Sequence, residues 1–328
     1  MKPLSDKLVA QLREEMQVPD LSGTRYKILR YLARGGMGSV WLAEDTVLNR
    51  RIALKVLDVA APAGGFEERL LQEARILALL EHPGIVPVHD AGTLADGRTF
   101  YCMKYVEGET LRQHVSGRSL PEKLRLLERI AEPLEFAHAR GFIHRDLKPE
   151  NIMIGAFGEV LVMDWGLARI CGSHGIRGED KSGDMPSTLH APPKATGEGS
   201  VLGTPGYMAP EQGGGGAVDK RADIFSLGAI LWFMMTGSLP GEPSAAAIPR
   251  PLRGICDKAM AADPSGRYCT VKEMIADLSR YLNGSPVEAY AENFFERAMR
   301  IYRRHRTAVV LIAAYLFMRL LFIVMSRR

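Results

Sequence analysis

His144-Arg145-Asp146-Leu147-Lys148-Pro149-Glu150-Asn151, followed thirteen positions after Asn151 by Asp164-Trp165-Gly166, is the stretch on which the reading of this chain turns. The run sets an acid, a lysine and an amide at fixed offsets, and the second piece adds another carboxylate. Chance supplies any one of these residues, but rarely all of them in this order. Upstream lies Ala33-Arg34-Gly35-Gly36-Met37-Gly38-Ser39-Val40, between two predicted strands. Glycines there let the backbone approach a nucleotide and point N–H groups at its phosphates. Next comes Ile52-Ala53-Leu54-Lys55, in which a lysine follows three apolar residues in a segment expected to be buried. A buried ammonium needs a partner. Glu73, between Leu70 and Leu77 near the core face of the following helix, is the candidate.

Residues 26–58 alternate apolar stretches with turns and read as a strand, a glycine-rich turn and two further strands at 40–43 and 52–57. Residues 66–80 have helical period, with Phe66, Leu70, Ala74, Leu77 and Ala78 on one face, and His82-Pro83-Gly84 stops them. Two more strands are predicted in 85–106, around Ala95-Asp96-Gly97. Beyond Gly108 the pattern turns helical: 121–139 is amphipathic, and 224–235 is apolar nearly all round but too short for a membrane span. Residues 171–199 are rich in Gly, Ser, Pro and charge and read as a loop. The polar stretch 1–20, with Leu8, Leu12 and Met16 at helical spacing, predicts a short helix and no signal peptide.

Together these motifs resemble the eukaryotic-like (Hanks-type) bacterial serine/threonine protein kinases. The resemblance covers about residues 24–283 and implies an α+β, two-lobed fold. Its N-lobe (24–106) would hold a five-stranded antiparallel sheet and one helix, and its C-lobe (107–283) would be mainly helical. It implies ATP as the phosphoryl donor, with Mg2+ (Mn2+ as the alternative) and protein Ser/Thr hydroxyls as acceptors, those of the chain's own activation loop included. By that resemblance Asp146 is the catalytic base, Lys148 neutralises the γ-phosphate, and Asn151 and Asp164 hold the metal. Lys55, paired with Glu73, would hold the α- and β-phosphates, and Thr204, in Gly203-Thr204-Pro205, would reach toward Asp146 and Lys148. Nucleotide contacts are expected from Leu32, Ala33, Arg34, Gly35, Gly36, Met37, Gly38, Val40 and Ala53. The hinge, Met103, Lys104 and Val106, would bind adenine. Glu211 would pair with Arg267, Asp223 would brace the catalytic loop, and Arg145 implies control by phosphorylation in the loop, at Ser182, Ser187, Thr188, Thr196 or Ser200. Three departures stand out: Ala33 replaces the first glycine of the phosphate lid, Trp165 takes the usual Phe position, and 240–251 is short where relatives carry a docking helix. They keep open a second reading, a pseudokinase scaffold that binds nucleotide without catalysis. A small-molecule kinase is disfavoured by the 203–211 segment.

The net charge of +4 hides a division. Residues 297–328 hold eight arginines and no acid, leaving 34 basic against 38 acidic residues elsewhere. A mildly acidic body disfavours nucleic-acid binding, and the basic tail suits a membrane surface. The four cysteines, Cys102, Cys171, Cys256 and Cys269, form no C-x-x-C pair, and His174 and His190 lack metal spacing. Residues 308–325 are apolar apart from Arg319 and Tyr315, and as a helix would rise roughly 27 Å. The expectation is a basic juxtamembrane helix (284–307) and a single-pass transmembrane helix (308–325) in the inner (cytoplasmic) membrane, with the catalytic domain in the cytosol. A homodimer for trans-autophosphorylation is the expected assembly, and any signal would arrive through the cytosolic part, the anchor or a partner.

Overall fold

The computed structural model describes residues 18–35, 38–58, 66–166, 168–170, 206–213, 218–244, 247–304 and 306–326. The expected N-terminal helix, Gly36, Met37, the 171–199 loop and Thr204 therefore lie outside the described residues or nearly so.

Strand parity builds the small lobe. β1 (Tyr26–Arg34), β2 (Gly38–Asp45), β3 (Arg50–Leu57), β4 (Val88–Thr93) and β5 (Thr99–Lys104) form one antiparallel sheet in the order β1-β2-β3-β5-β4. Successive side chains of a strand face opposite ways. Ile52, Leu54 and Val56 accordingly join Trp41, Phe100 and Cys102 in a core on one face. Ala53, Leu57, Tyr101 and Met103 join the main core on the other, against α1 (Phe66–Leu79). Lys55 and Tyr101 are register partners, so parity sends both toward α1. At the start of β2, a Cβ on Gly38 would lie 2.0 Å from the Val56 carbonyl oxygen. Only glycine lets β2 and β3 close at that point.

The large lobe opens with β6 (Gly108–Thr110), the short α2 (Leu111–His114) and α3 (Leu120–Ala139). Ser119 and Glu122 close a capping box over the first turn of α3, the Ser119 N–H donating to Glu122 at 2.8 Å. α3 packs against α5 (Arg221–Thr236) and α7 (Val271–Leu282), and α5 against α6 (Arg250–Ala259). α5 is buried on nearly every side, as a central helix must be, and ends at Gly237 in the left-handed region (φ 75°). β7 (Phe142–Ile143) pairs with β10 (Arg169–Ile170), while β8 (Ile152–Gly155) lies between β6 and β9 (Val160–Val162). α4 (Pro210–Gly213), α8 (Phe294–Arg304) and α9 (Arg306–Ser326) complete the described helices.

One short seam ties the lobes together. The chain leaving α1 passes Gly84–Val86, where Gly84 O accepts from Val162 N (2.8 Å) and Ile85 bridges to Val162. Val162 lies two residues before Asp164, so the helix carrying Glu73 is tethered close to the metal-turn carboxylate.

The C-terminal expectation needs a correction. A helix spans the segment: α9 is 21 residues long. Among the described residues, however, no helix is long and apolar enough to cross a membrane. Arg319 interrupts the apolar run of the helix near its C-terminal end.

Candidate active site between the lobes

Lys55 is the junction of the site. Its Nζ donates to both Glu73 carboxylate oxygens at 2.8 Å and to Asp164 Oδ1 at 3.2 Å. Glu73 is fully buried, and its Oε1 also accepts from the Tyr101 hydroxyl at 2.8 Å. Desolvation works against the Lys55 charge, but the neighbouring acids outweigh it and hold the ammonium well above its usual range. Burial pushes the Glu73 carboxyl up, with Lys55 resisting. Burial would raise Asp164 too, yet the Lys55 charge and hydrogen bond hold it below the usual carboxylate range. Two acids thus share one cation, and Asp164, with 47% of its side chain exposed, is the one still open to the cleft.

The catalytic loop forms the other wall. Lys148 Nζ donates to Asp146 Oδ2 at 2.8 Å. Asn151 Nδ2 donates to the Asp146 carbonyl at 2.8 Å and to Oδ2 at 3.2 Å. With its NH2 group so engaged, Asn151 turns its amide oxygen to a different direction. Asp223, wholly buried at the start of α5, accepts from the backbone N–H groups of His144 and Arg145, both at 2.9 Å, and contacts His138 Nε2 at 2.7 Å. Burial would raise its pKa, but these donors hold it below the usual range. Gln212 of α4 donates to the Arg145 carbonyl at 2.7 Å. The bracing is needed, because Arg145 (φ 70°) and Asp164 (φ 56°) occupy the left-handed region. Such backbone costs about 1–3 kcal/mol per residue and persists only where the surroundings over-determine it.

Trp165 fills its position without strain on the loop. It is fully buried, its ring centroid 4.7 Å from that of His144, and its indole N–H points at Val162 O (3.4 Å). Ala33 is equally benign. It lies in β1 opposite Val40 and not among the positive-φ residues, so the first lid position does not require glycine. Gly35 N–H donates to Gly38 O at 2.7 Å across the lid, and Arg34 reaches Asp58 at 2.8 Å. Ala53, Met103 and Val106 are buried beneath the lid strands, and Leu32 and Val40 are half-buried. In the hinge the Lys104 N–H is taken by Pro87 O (3.0 Å), and its half-exposed side chain lies 4.0 Å from Glu159. Adenine would have to be read by other backbone groups there. Farther off, Arg267 makes two bonds to Glu211, at 2.7 and 2.8 Å.

The structure therefore gathers Lys55, Glu73, Asp146, Lys148, Asn151 and Asp164 in one cleft. Thr204, Gly36 and Met37 stay outside the described residues. Tyr101, His138 and Gln212 were missed by the sequence reading. None of the three carries a sequence signal that marks its partner.

The protein kinase domain family matches residues 26–263. The chain belongs to the protein kinase family. Among curated relatives it is 37% identical over 297 residues to the serine/threonine-protein kinase PknD of Chlamydia felis, covering 80% of this chain and 31% of that protein. The PknD of Protochlamydia amoebophila is 34% identical over 297 residues, covering 79% and 30%. The chain thus spans about a third of the length of these kinases. Among solved structures, the Mycobacterium tuberculosis PknI kinase domain superposes with a TM-score of 0.58 at 26% identity, covering 80% of this chain and 98% of that one. The two-lobed architecture of the family is the fold described above, and its members generally use ATP with Mg2+.

Proposed function

We propose that this chain is a serine/threonine protein kinase that transfers the γ-phosphoryl group of ATP to Ser and Thr hydroxyls of proteins. The observation that carries the reading is the single ammonium of Lys55, which touches a helix carboxylate of one lobe and the metal-turn carboxylate of the other. That contact forms only when both lobes and α1 stand in a productive arrangement. We assign the kinase unit to 24–283, divided near 106, followed by a basic segment (284–307) and a membrane-attachment segment (308–325).

The chain's own residues would act as follows. Lys55, fixed by Glu73 and Tyr101, presents positive charge to the α- and β-phosphates. Asp146 would orient the acceptor hydroxyl and take its proton as the new O–P bond forms and the bond from the γ-phosphorus to the ADP leaving oxygen breaks. Lys148, on Asp146, would turn its charge toward the γ-phosphoryl oxygens. The donor set fits Mg2+: Asn151 and Asp164 offer oxygen ligands at the cleft, and a hard cation completes its shell with water and substrate phosphates. Among the described residues no cluster of three His, Cys, Asp or Glu side chains could hold a metal alone, which suits an ion shared with a nucleotide. Bound there, Mg2+ would neutralise phosphate charge.

Two of the three motives for the pseudokinase reading fall away, because Ala33 pairs within β1 and Trp165 is buried without distortion. Purified full-length protein with labelled ATP, Mg2+ and a generic basic protein should transfer phosphate, and the Asp146→Asn variant should not. An inert wild type would sink the activity, and labelling that survives in the variant would betray a contaminant.

Membrane attachment is supported by the last helix. Leu311, Leu316, Phe317, Met318 and Phe322 of α9 are all exposed, which leaves them unburied by the kinase body. Arg319 would cost about 2.5–3.5 kcal/mol at a bilayer centre, less near the end of the segment. Carbonate washing should leave the chain in membranes; release into the wash would overturn spanning by 308–325 and favour a helix lying on the membrane surface.

A further inference from the structure

α8 is amphipathic in reverse. A helix packed on a soluble body normally buries its apolar side. Here the residues facing the C-lobe are charged. Glu296 accepts from Arg250 (3.1 Å) at the start of α6 and from the Tyr290 hydroxyl (2.9 Å). One turn farther, Arg300 pairs with Glu292 at 2.8 Å. Glu296 and Arg300, four positions apart in α8, lie on one side of the helix, and Glu292 in the segment just before it meets Arg300 there. The rotation is set at the N-terminus as well, where Asn293 Oδ1 accepts from Glu296 N (3.0 Å) and Glu296 Oε2 accepts from Asn293 N (3.1 Å). Phe294, Phe295 and Met299 are left pointing away from the protein, with Phe294 and Phe295 about four-fifths exposed and their rings in edge contact at 5.9 Å.

We propose that this outward face of α8 is a lipid-docking surface, which lies in the interface of an anionic bilayer and stands the C-lobe on it. Charge selects this occupant over another protein. From Arg297 to the last residue the sequence has eight arginines and no acid, and exposed aromatic and thioether side chains beside arginines are the composition of an interfacial helix. Continuity selects it too: α9 begins two residues after α8 ends, and its described apolar side chains are exposed as well. The polar stripe gives the docking a consequence. Through Arg250 and Tyr290 it fixes the α8 face to α6, so the kinase body is held at one attitude to the membrane instead of swinging on a tether. The proposal rests on the membrane attachment proposed above and adds where the helix before the anchor lies.

The test is site-directed spin labelling of the full chain, with Cys171 and Cys269 replaced by Ser. Labels go at Phe295→Cys and, separately, at Leu316→Cys, in bilayers of phosphatidylcholine with a minority of phosphatidylglycerol. Collision with lipid-soluble oxygen is compared with collision with a water-soluble nickel chelate. The expected result is oxygen-dominated relaxation at both positions, shallower at 295, with the signal at 295 shifting toward nickel when phosphatidylglycerol is omitted. Nickel-dominated relaxation at 295 with an oxygen-dominated 316 would overturn the docking surface and leave the anchor intact. Nickel dominance at both would overturn the anchor together with the surface. Dipolar broadening of the singly labelled 295 variant would show that a second copy covers the face, and would also overturn the proposal.

Discussion

Lys55 and Lys148 each hold a carboxylate, and these acid partners differ in burial. Glu73 is sealed from solvent and held by three donated hydrogen bonds, two from Lys55 and one from Tyr101. Asp146 retains 13% side-chain exposure and Lys148 21%. The difference follows from their tasks. The Lys55 pair sets geometry and gains from rigidity, because a buried pair exchanges with no competing water. Asp146 must meet an incoming hydroxyl and Lys148 must leave it for phosphate, so both need access. The buried wall should therefore fail in stability and activity together, and the open wall in activity alone.

The largest expected effect is on the open wall. Asp146→Asn should lower kcat by about 10²–10⁴-fold with little change in the urea midpoint. A matching loss of stability would erase the distinction between the walls. Glu73→Leu comes next. It leaves the Lys55 ammonium buried without its main partner, and loss of one member of a buried pair typically costs about 3–5 kcal/mol. Denaturant titration should register that loss alongside reduced activity. Tyr101→Phe removes one hydrogen bond to a charged acceptor, worth about 1.5–3 kcal/mol. Its effect should appear both in the denaturation midpoint and in kcat and the KM for ATP, and an unchanged KM would count against a positioning role.

The acid side of the stability profile sharpens the contrast with a site remote from the cleft. Burial would raise Asp277, but the N–H groups of Glu288 (2.8 Å) and Ala289 (3.0 Å), the Tyr268 hydroxyl and Arg280 hold it below the usual carboxylate range. Its stabilisation is thus complete above the unfolded carboxylate value of about 3.9 and is lost as pH falls through the lower folded value. In Asp277→Asn, Tm should fall less steeply with acidification, activity per folded molecule being unaffected. The smallest effect is expected at the half-exposed Arg112–Glu150 pair beside the catalytic loop. Glu150→Gln should change stability by less than about 1 kcal/mol, and a larger shift would mean that the pair supports the loop through Tyr207, which Arg112 also reaches at 3.4 Å.

Most of the fold was legible because its signals are local. Parity along 52–57 and 99–104 set which residues face α1, and the helical period of 66–80 placed Glu73 toward them. The pairs Lys55–Glu73 and Glu211–Arg267 were readable because each motif has a fixed partner in the family. Tyr101 was hidden, since an aromatic residue in a strand reads as core whether or not its hydroxyl finds a carboxylate. His138 was hidden for a similar reason: on an amphipathic helix nothing in the sequence marks which distant acid it meets.

The sequence by itself determined the elements, the family and the set of charges that phosphoryl transfer needs. Tertiary structure decided three other matters. It showed how Ala33 and Trp165 are accommodated, because strand pairing and a tilted ring contact in the core cannot be read from residue identity. It brought Lys55 against carboxylates of both lobes, because the seam at Gly84–Val86 fixes a separation that spacing along the chain leaves open. It also decided which side of α8 faces the protein. Helical period defines an apolar face and a charged face, but only the partners of Glu296, Arg250 and Tyr290, reveal that the charged one is turned toward the C-lobe.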